Sequence, residues 1–243
     1  MLFLIIAGFT AGFIDAIVGG GGLISLPSLL MLGVPPQTAL SSSKLIGVST
    51  AIAGSFRYIH SKSVRWSGLK YSIPLAILGG CCGVLLTTRF SNESLKYIIF
   101  FGLIGIAIFL LLNKKFGLME KKKGWSIYHL TWISFLVGAY DGFFGPGTGT
   151  LLVISLVHMF GYAFLPASAT GRIINLAANV GALITFYLLG IIQLEFVIPA
   201  MVAAFAGGLL GASYAIRYGS KGIRPILFIV VFGLIIKLGI SLY

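Results

Sequence analysis

The stretch DAIVGGGGLISLP, Asp15 to Pro27, lies inside an apolar run that begins at Leu2 and reaches Gly33. A carboxylate and four consecutive glycines both weaken a transmembrane helix. Charge is costly at membrane depth, and glycine gives up more backbone freedom than any other residue on entering a helix. Together they predict a break in the helix at Gly19, Gly20, Gly21 and Gly22. Unwound backbone leaves N–H and C=O groups unpaired, so such a break is tolerated only where protein buries it or it lines a wet cavity. The competing reading is that the glycines only let helices pack closely, as small residues do in membranes.

The remaining chain sets the solvent. Of 243 residues, 58% are hydrophobic and 9% charged, and the mean hydropathy is +1.06. A soluble domain carries about 25% charged residues. The apolar runs last about twenty residues, the length a spanning helix needs. A membrane β-barrel would instead alternate over about ten. An all-α integral membrane protein built as one helical bundle follows. The net charge of +12 comes from 17 Lys and Arg against 5 Asp and Glu. Placed in short loops, these cations set orientation, and no nucleic-acid recognition module accompanies them. Cys81 and Cys82 are adjacent and offer no metal framework, and His60, His129 and His158 are scattered. The apolar N-terminus has no basic n-region and no convincing cleavage site, and reads as structural.

Charges, Gly and Pro divide the chain. A split unit over 2–33 is followed by helices at about 37–59, 71–88 and 94–112. A polar linker covers 113–125. The plan then restarts, with a split unit over 126–161 and helices at about 166–189, 196–218 and 223–242. AGFIDAIVGGGG (Ala11 to Gly22) lies over VGAYDGFFGPGT (Val137 to Thr148). Asp15 falls on Asp141, Gly19 on Gly145 and Gly21 on Gly147. Further on, Lys44 falls on Arg172, and Pro74 and Pro199 open corresponding helices. Residues 1–112 and 126–243 thus read as two repeats joined by a basic linker. Each is a Gly-broken or re-entrant helix pair plus three spanning helices.

Lys and Arg in short loops predict that 57–70, 113–124 and 217–224 are cytoplasmic and that 190–195, which has neither, is outside. Between 124 and 190 the chain must then cross an odd number of times, so the split unit returns to its starting side. The repeats come out inverted, with both termini external. Arg89 and Lys96, in a loop predicted to be external, run against this rule.

Inverted repeats with paired, Gly-interrupted segments point to a secondary transporter with its site near the bilayer midplane. The helices restarting near Leu23 and Thr150 aim N-terminal N–H groups at the breaks, which favours anions. Lys44, in SSSKLIG, and Arg172, in ATGRIIN, sit at matched positions. They either face an anion cavity or snorkel to the headgroups. Ser41, Ser42, Ser43, Thr170, Asn175 and Asn179 lie around them as neutral hydrogen-bonding groups, Thr148 joins the candidate site at the second break, and Asn175 and Asn179 share a helical face. Asp15 and Asp141 have three candidate roles: ion pairs with the cations, caps on the broken backbone, or proton coupling.

The two quoted motifs, extended through SSSKLIGVSTAIAGSFRY and ATGRIINLAANVGAL, resemble the halves of the TauE/SafE family of membrane permeases, also called sulfite exporters. The resemblance spans nearly the whole chain. It implies movement of sulfite, a sulfonate or a related organic anion across the bacterial cytoplasmic membrane. Two positions depart from the family pattern: Ser43 stands where Asn is common, and Arg172 where Lys is frequent. Arg offers oxyanions a planar fork that Lys lacks.

The sequence therefore predicts a non-enzymatic carrier of a small anion, working by alternating access with no cofactor and the bilayer as its other partner. Its oligomeric state is not legible. A passive anion channel is one alternative. An intramembrane aspartyl protease is another, although no Gly-x-Gly-Asp accompanies Asp15 or Asp141, and nearby cations oppose a shared proton. GGGGLIS lacks the Lys-Ser/Thr of a phosphate-binding loop.

Overall fold

The computed structural model describes the backbone of residues 1–112 and 126–240, and the side chains of 1–105 and 126–219. The predicted linker over 113–125 lies outside the described residues. All regular structure among those described is helical. The first half runs α1 (Leu2–Val18), α2 (Gly22–Met31), α3 (Pro36–His60), α4 (Leu69–Thr87) and α5 (Asn92–Leu112). The second runs α6 (Ile127–Phe143), α7 (Thr148–Phe160), α8 (Phe164–Leu188) and α9 (Ile198–Ile240).

Both predicted breaks are present. α1 stops at Gly19, whose φ of 77° is left-handed, and α2 begins at Gly22 rather than Leu23. α6 stops at Phe143, and α7 begins at Thr148 behind left-handed Gly145 and Gly147. A side chain with a Cβ adopts this backbone region poorly, so glycine supplies it. One boundary differs from expectation. The loop predicted over 217–224 is a single non-helical residue, Gly219 (φ 54°, ψ −148°), inside α9. A glycine kink suffices there because one residue outside helical φ/ψ redirects a helix axis without a loop.

Among the described residues, three helical segments are long and apolar enough to cross a bilayer: Leu69–Thr87, Phe164–Leu188 and Ile198–Gly219. α3 is as long as α8 but carries the polar stretch Ser41 to Lys44. Its polar side chains are turned inward, with Ser41, Ser42 and Lys44 buried. Leu78, Leu85, Trp132, Leu136, Val202 and Leu210 are exposed on the outside, as lipid-facing side chains are.

The helix contacts cross between the halves. α1 packs along α9, and α6 packs along α4; α3 lies against α9, and α8 against α4; α3 and α8 meet each other. Each of the α1–α9 and α4–α6 seams is lined by glycines four apart: Gly8 and Gly12 with Gly207 and Gly211, and Gly138 and Gly142 with Gly79 and Gly83. A Cβ on Gly207 would collide with the backbone of Phe9 and Phe13, and one on Gly79 with that of Phe135 and Ala139. Small residues at this spacing let helix backbones approach closely, and dispersion then holds helices together in lipid.

Candidate functional site

The two breaks face each other, with α3 and α8 beside them, around a cavity of about 30 Å³. That is room for a water or two. Asp15, Gly19 and Gly22 line it from the first break, and Asp141, Gly145 and Thr148 from the second. Ser43 and Lys44 come from α3, and Asn175 and Asn179 from α8. Four expected site residues do not line it: Gly20, Gly21, Gly147 and Arg172. Gly147 is the left-handed cap of α7. Gly21 donates its N–H to Asp15 Oδ1 at 2.9 Å.

Three lining residues fall outside the set expected from sequence: Gly47, Phe144 and Gly149. A Cβ on Gly47 would stand 3.2 Å from Asn179 Oδ1, so glycine there leaves room for the amide. Gly149 is where the two breaks touch: a Cβ on it would collide with Gly19, and one on Gly19 with Gly149. The signals available for them were the register that sets Gly47 opposite Asn175, and the glycine density of GPGTGT.

Lys44, Arg172, Asp15 and Asp141 are 4%, 4%, 7% and 2% exposed. With so little water available, each charge needs a partner. Lys44 Nζ lies 2.9 Å from Asp141 Oδ1, and Arg172 Nη1 lies 2.6 Å from Asp15 Oδ2. Both pairs join one half to the other. Two of the three roles weighed for the aspartates are therefore seen in the geometry. Both are paired, and Asp15 also caps the broken backbone. The cations do not snorkel; they point into the bundle.

Neutral contacts complete the frame. Arg172 Nη1 reaches Asn175 Oδ1 at 3.5 Å, and Asn179 Nδ2 donates to the Asn175 carbonyl at 2.9 Å. The Ser43 and Ser25 hydroxyls are 2.8 Å apart. Thr148 Oγ1 donates to the Gly145 carbonyl at 2.6 Å, and Tyr140 Oη to the Pro146 carbonyl at 2.6 Å, which fixes the second break. Thr150 Oγ1 donates to the Val18 carbonyl at 2.7 Å and ties the breaks together. Asp141 Oδ2 has no hydrogen-bond partner. No group of His, Cys, Asp and Glu able to hold a metal occurs among the described residues.

A multi-pass helical bundle with paired charges buried at two facing helix breaks belongs to the class of membrane transporters. Residues 4–238 match the family described as Sulfite exporter TauE/SafE, and the chain belongs to that family. It is 35% identical over 243 residues to the probable membrane transporter protein ORF9 of Sinorhizobium sp, covering 98% of this chain and 92% of that one. A probable membrane transporter protein of Haemophilus influenzae is 32% identical, over 97% of this chain and 92% of its own. The probable membrane transporter protein YfcA of Escherichia coli (strain K12) is 32% identical, over 90% and 82%. No solved structure gives a significant match.

Proposed function

We propose that this protein is a secondary carrier for a small oxyanion of the sulfite, sulfonate or organic-acid class, working by alternating access in the bacterial cytoplasmic membrane. The observation that carries the reading is the crossed pairing of Lys44 with Asp141 and Arg172 with Asp15. Four ionisable side chains are held between the halves, at two helix breaks, beside a polar cavity. A purely structural bundle needs none of these buried charges, because apolar packing of similar volume is often as stable.

Residues 1–112 and 126–243 act as inverted repeats joined by a basic cytoplasmic linker, with both termini external. The exchanged packing supports the repeat: α1 pairs with α9 as α6 pairs with α4, and equivalent glycines meet equivalent backbone. The two halves then rock about the breaks. The cavity is too tight here for a three-oxygen anion, so this geometry is a closed state. The four paired charges cancel, so the anion competes with the resident carboxylates. A proton on Asp141 would free Lys44 for the anion and couple transport to protons. Without that proton, an inside-negative potential drives export by about 2.3 kcal/mol per charge per 100 mV.

The carrier is distinguished from a passive channel by counterflow. Proteoliposomes loaded with radiolabelled sulfite are expected to release it faster when unlabelled sulfite is added outside, because the loaded carrier returns faster than the empty one. Release indifferent to outside sulfite would favour the channel. The protease alternative loses support because each aspartate is engaged by its own cation, which opposes a proton shared between them.

A further inference from the structure

A second, smaller cavity of about 10 Å³ shares a wall with the first, the Gly19–Gly149 crossing. Its other walls are the last turn of α1, Val153, Ser168 and Arg172. Two buried polar atoms of these wall residues have no hydrogen-bond partner: Arg172 Nε and Ser168 Oγ. Arg172 uses Nη1 on Asp15 and leaves Nε without a partner. Ser168 and Arg172 are four residues apart on α8 and share a helical face.

The guanidinium offers only donors, and a serine hydroxyl can donate too. What answers both is an acceptor. The nearby carbonyls at the end of α1 would repel an anion, but two of them are already met. Tyr58 Oη donates to the Ala16 carbonyl at 2.7 Å, and Thr150 Oγ1 to the Val18 carbonyl at 2.7 Å. Buried groups left unmet in this way are uncommon in folded proteins and mark a place for water or a ligand.

We infer that Ser168 and the Nε edge of Arg172 form a second station for the transported oxyanion, separated from the Lys44 cavity by the Gly19–Gly149 crossing. In the closed geometry it has room for a single water. When the crossing parts, the anion exchanges that water for itself and passes from the Lys44 side to the Arg172 side. The inference rests on the oxyanion-carrier reading and adds a residue, Ser168, that the sequence motifs did not single out.

The test is the concentration dependence of sulfite flux in proteoliposomes, normalised to folded protein. Ser168→Ala is expected to raise the half-saturating sulfite concentration about tenfold, the loss of one hydrogen bond to a charged group. Ser168→Thr, which keeps the hydroxyl, is expected to restore most of it. Arg172→Lys keeps a cation for Asp15 but removes Nε–H. Combined with Ser168→Ala it is expected to fall short of the product of the single effects, because both donors serve one anion. An unchanged half-saturation in Ser168→Ala, beside saturable wild-type flux, would overturn the second station and leave the carrier standing. A loss of folded protein with unchanged half-saturation would count against it equally. If the wild type shows no saturable flux of sulfite, a sulfonate or an organic acid, the station and the carrier reading both fall.

Discussion

Arg172→Gln is expected to lose both folded protein and transport, and the paired variant Arg172→Gln/Asp15→Asn to regain only the first. In the single variant Asp15 stays buried, with its cation gone. Breaking a buried pair in this way costs about 3–5 kcal/mol, because it leaves an uncompensated charge. Detergent-solubilised protein should then melt well below the wild type. In the paired variant no charge is left over. The amide that replaces the Asp15 carboxylate retains an oxygen to accept the Gly21 N–H that now goes to Oδ1. Stability should recover most of that loss, because no uncompensated buried charge remains. Transport should not recover. A charge-assisted contact is worth about 1.5–3 kcal/mol, so sulfite flux per folded molecule should fall about tenfold to a hundredfold. Full flux in the paired variant would mean that Arg172 serves the fold alone.

The second large effect is steric. Gly149→Ala places a methyl group against the Gly19 backbone, and Gly19→Ala places one against Gly149. Neither neighbour is a flexible side chain that can swing away. Overpacking of this kind costs about 1–3 kcal/mol and occasionally more. At Gly19 the left-handed backbone adds about 1–2 kcal/mol. Gly20→Ala is the control. Its nearest neighbour would be Leu23 Cδ1 at 3.5 Å, an ordinary contact. Thermal melting should show Gly19→Ala as the most damaging, Gly149→Ala next, and Gly20→Ala within about 0.5 kcal/mol of wild type, as for a substitution away from special features. Equal effects at all three positions would remove the special status of the crossing.

The contrast among these glycines shows what sequence reading reaches. Glycine runs beside a carboxylate were enough to place both breaks, because the energetic conflict they create is local. The matched order of Asp, Gly and basic residues was enough to select Lys44, Arg172, Asp15 and Asp141. Which aspartate each cation meets was not legible. Register along the chain does not say that α3 brings Lys44 to the second break and α8 brings Arg172 to the first. The glycines four apart on α1, α4, α6 and α9 were in plain view, but their meaning depends on which helices meet. The boundary within 217–224 was placed, but its length was not: basic residues suggested a loop where one glycine, Gly219, is enough to bend the helix. Ser168 gave no signal at all. A serine in an apolar helix is ordinary, and only its unmet hydroxyl, on a cavity that Arg172 also lines, marks it.

Sulfite flux into and out of proteoliposomes containing the wild-type protein, measured across concentrations with a potential imposed in each direction, is the most direct test of an oxyanion carrier. A carrier should give flux that saturates. Where the anion crosses without a proton, an inside-negative potential should also speed efflux, by up to about 2.3 kcal/mol per charge per 100 mV. Folded protein that carries no sulfite, sulfonate or organic acid above the protein-free background, or whose flux rises linearly without limit, would contradict it.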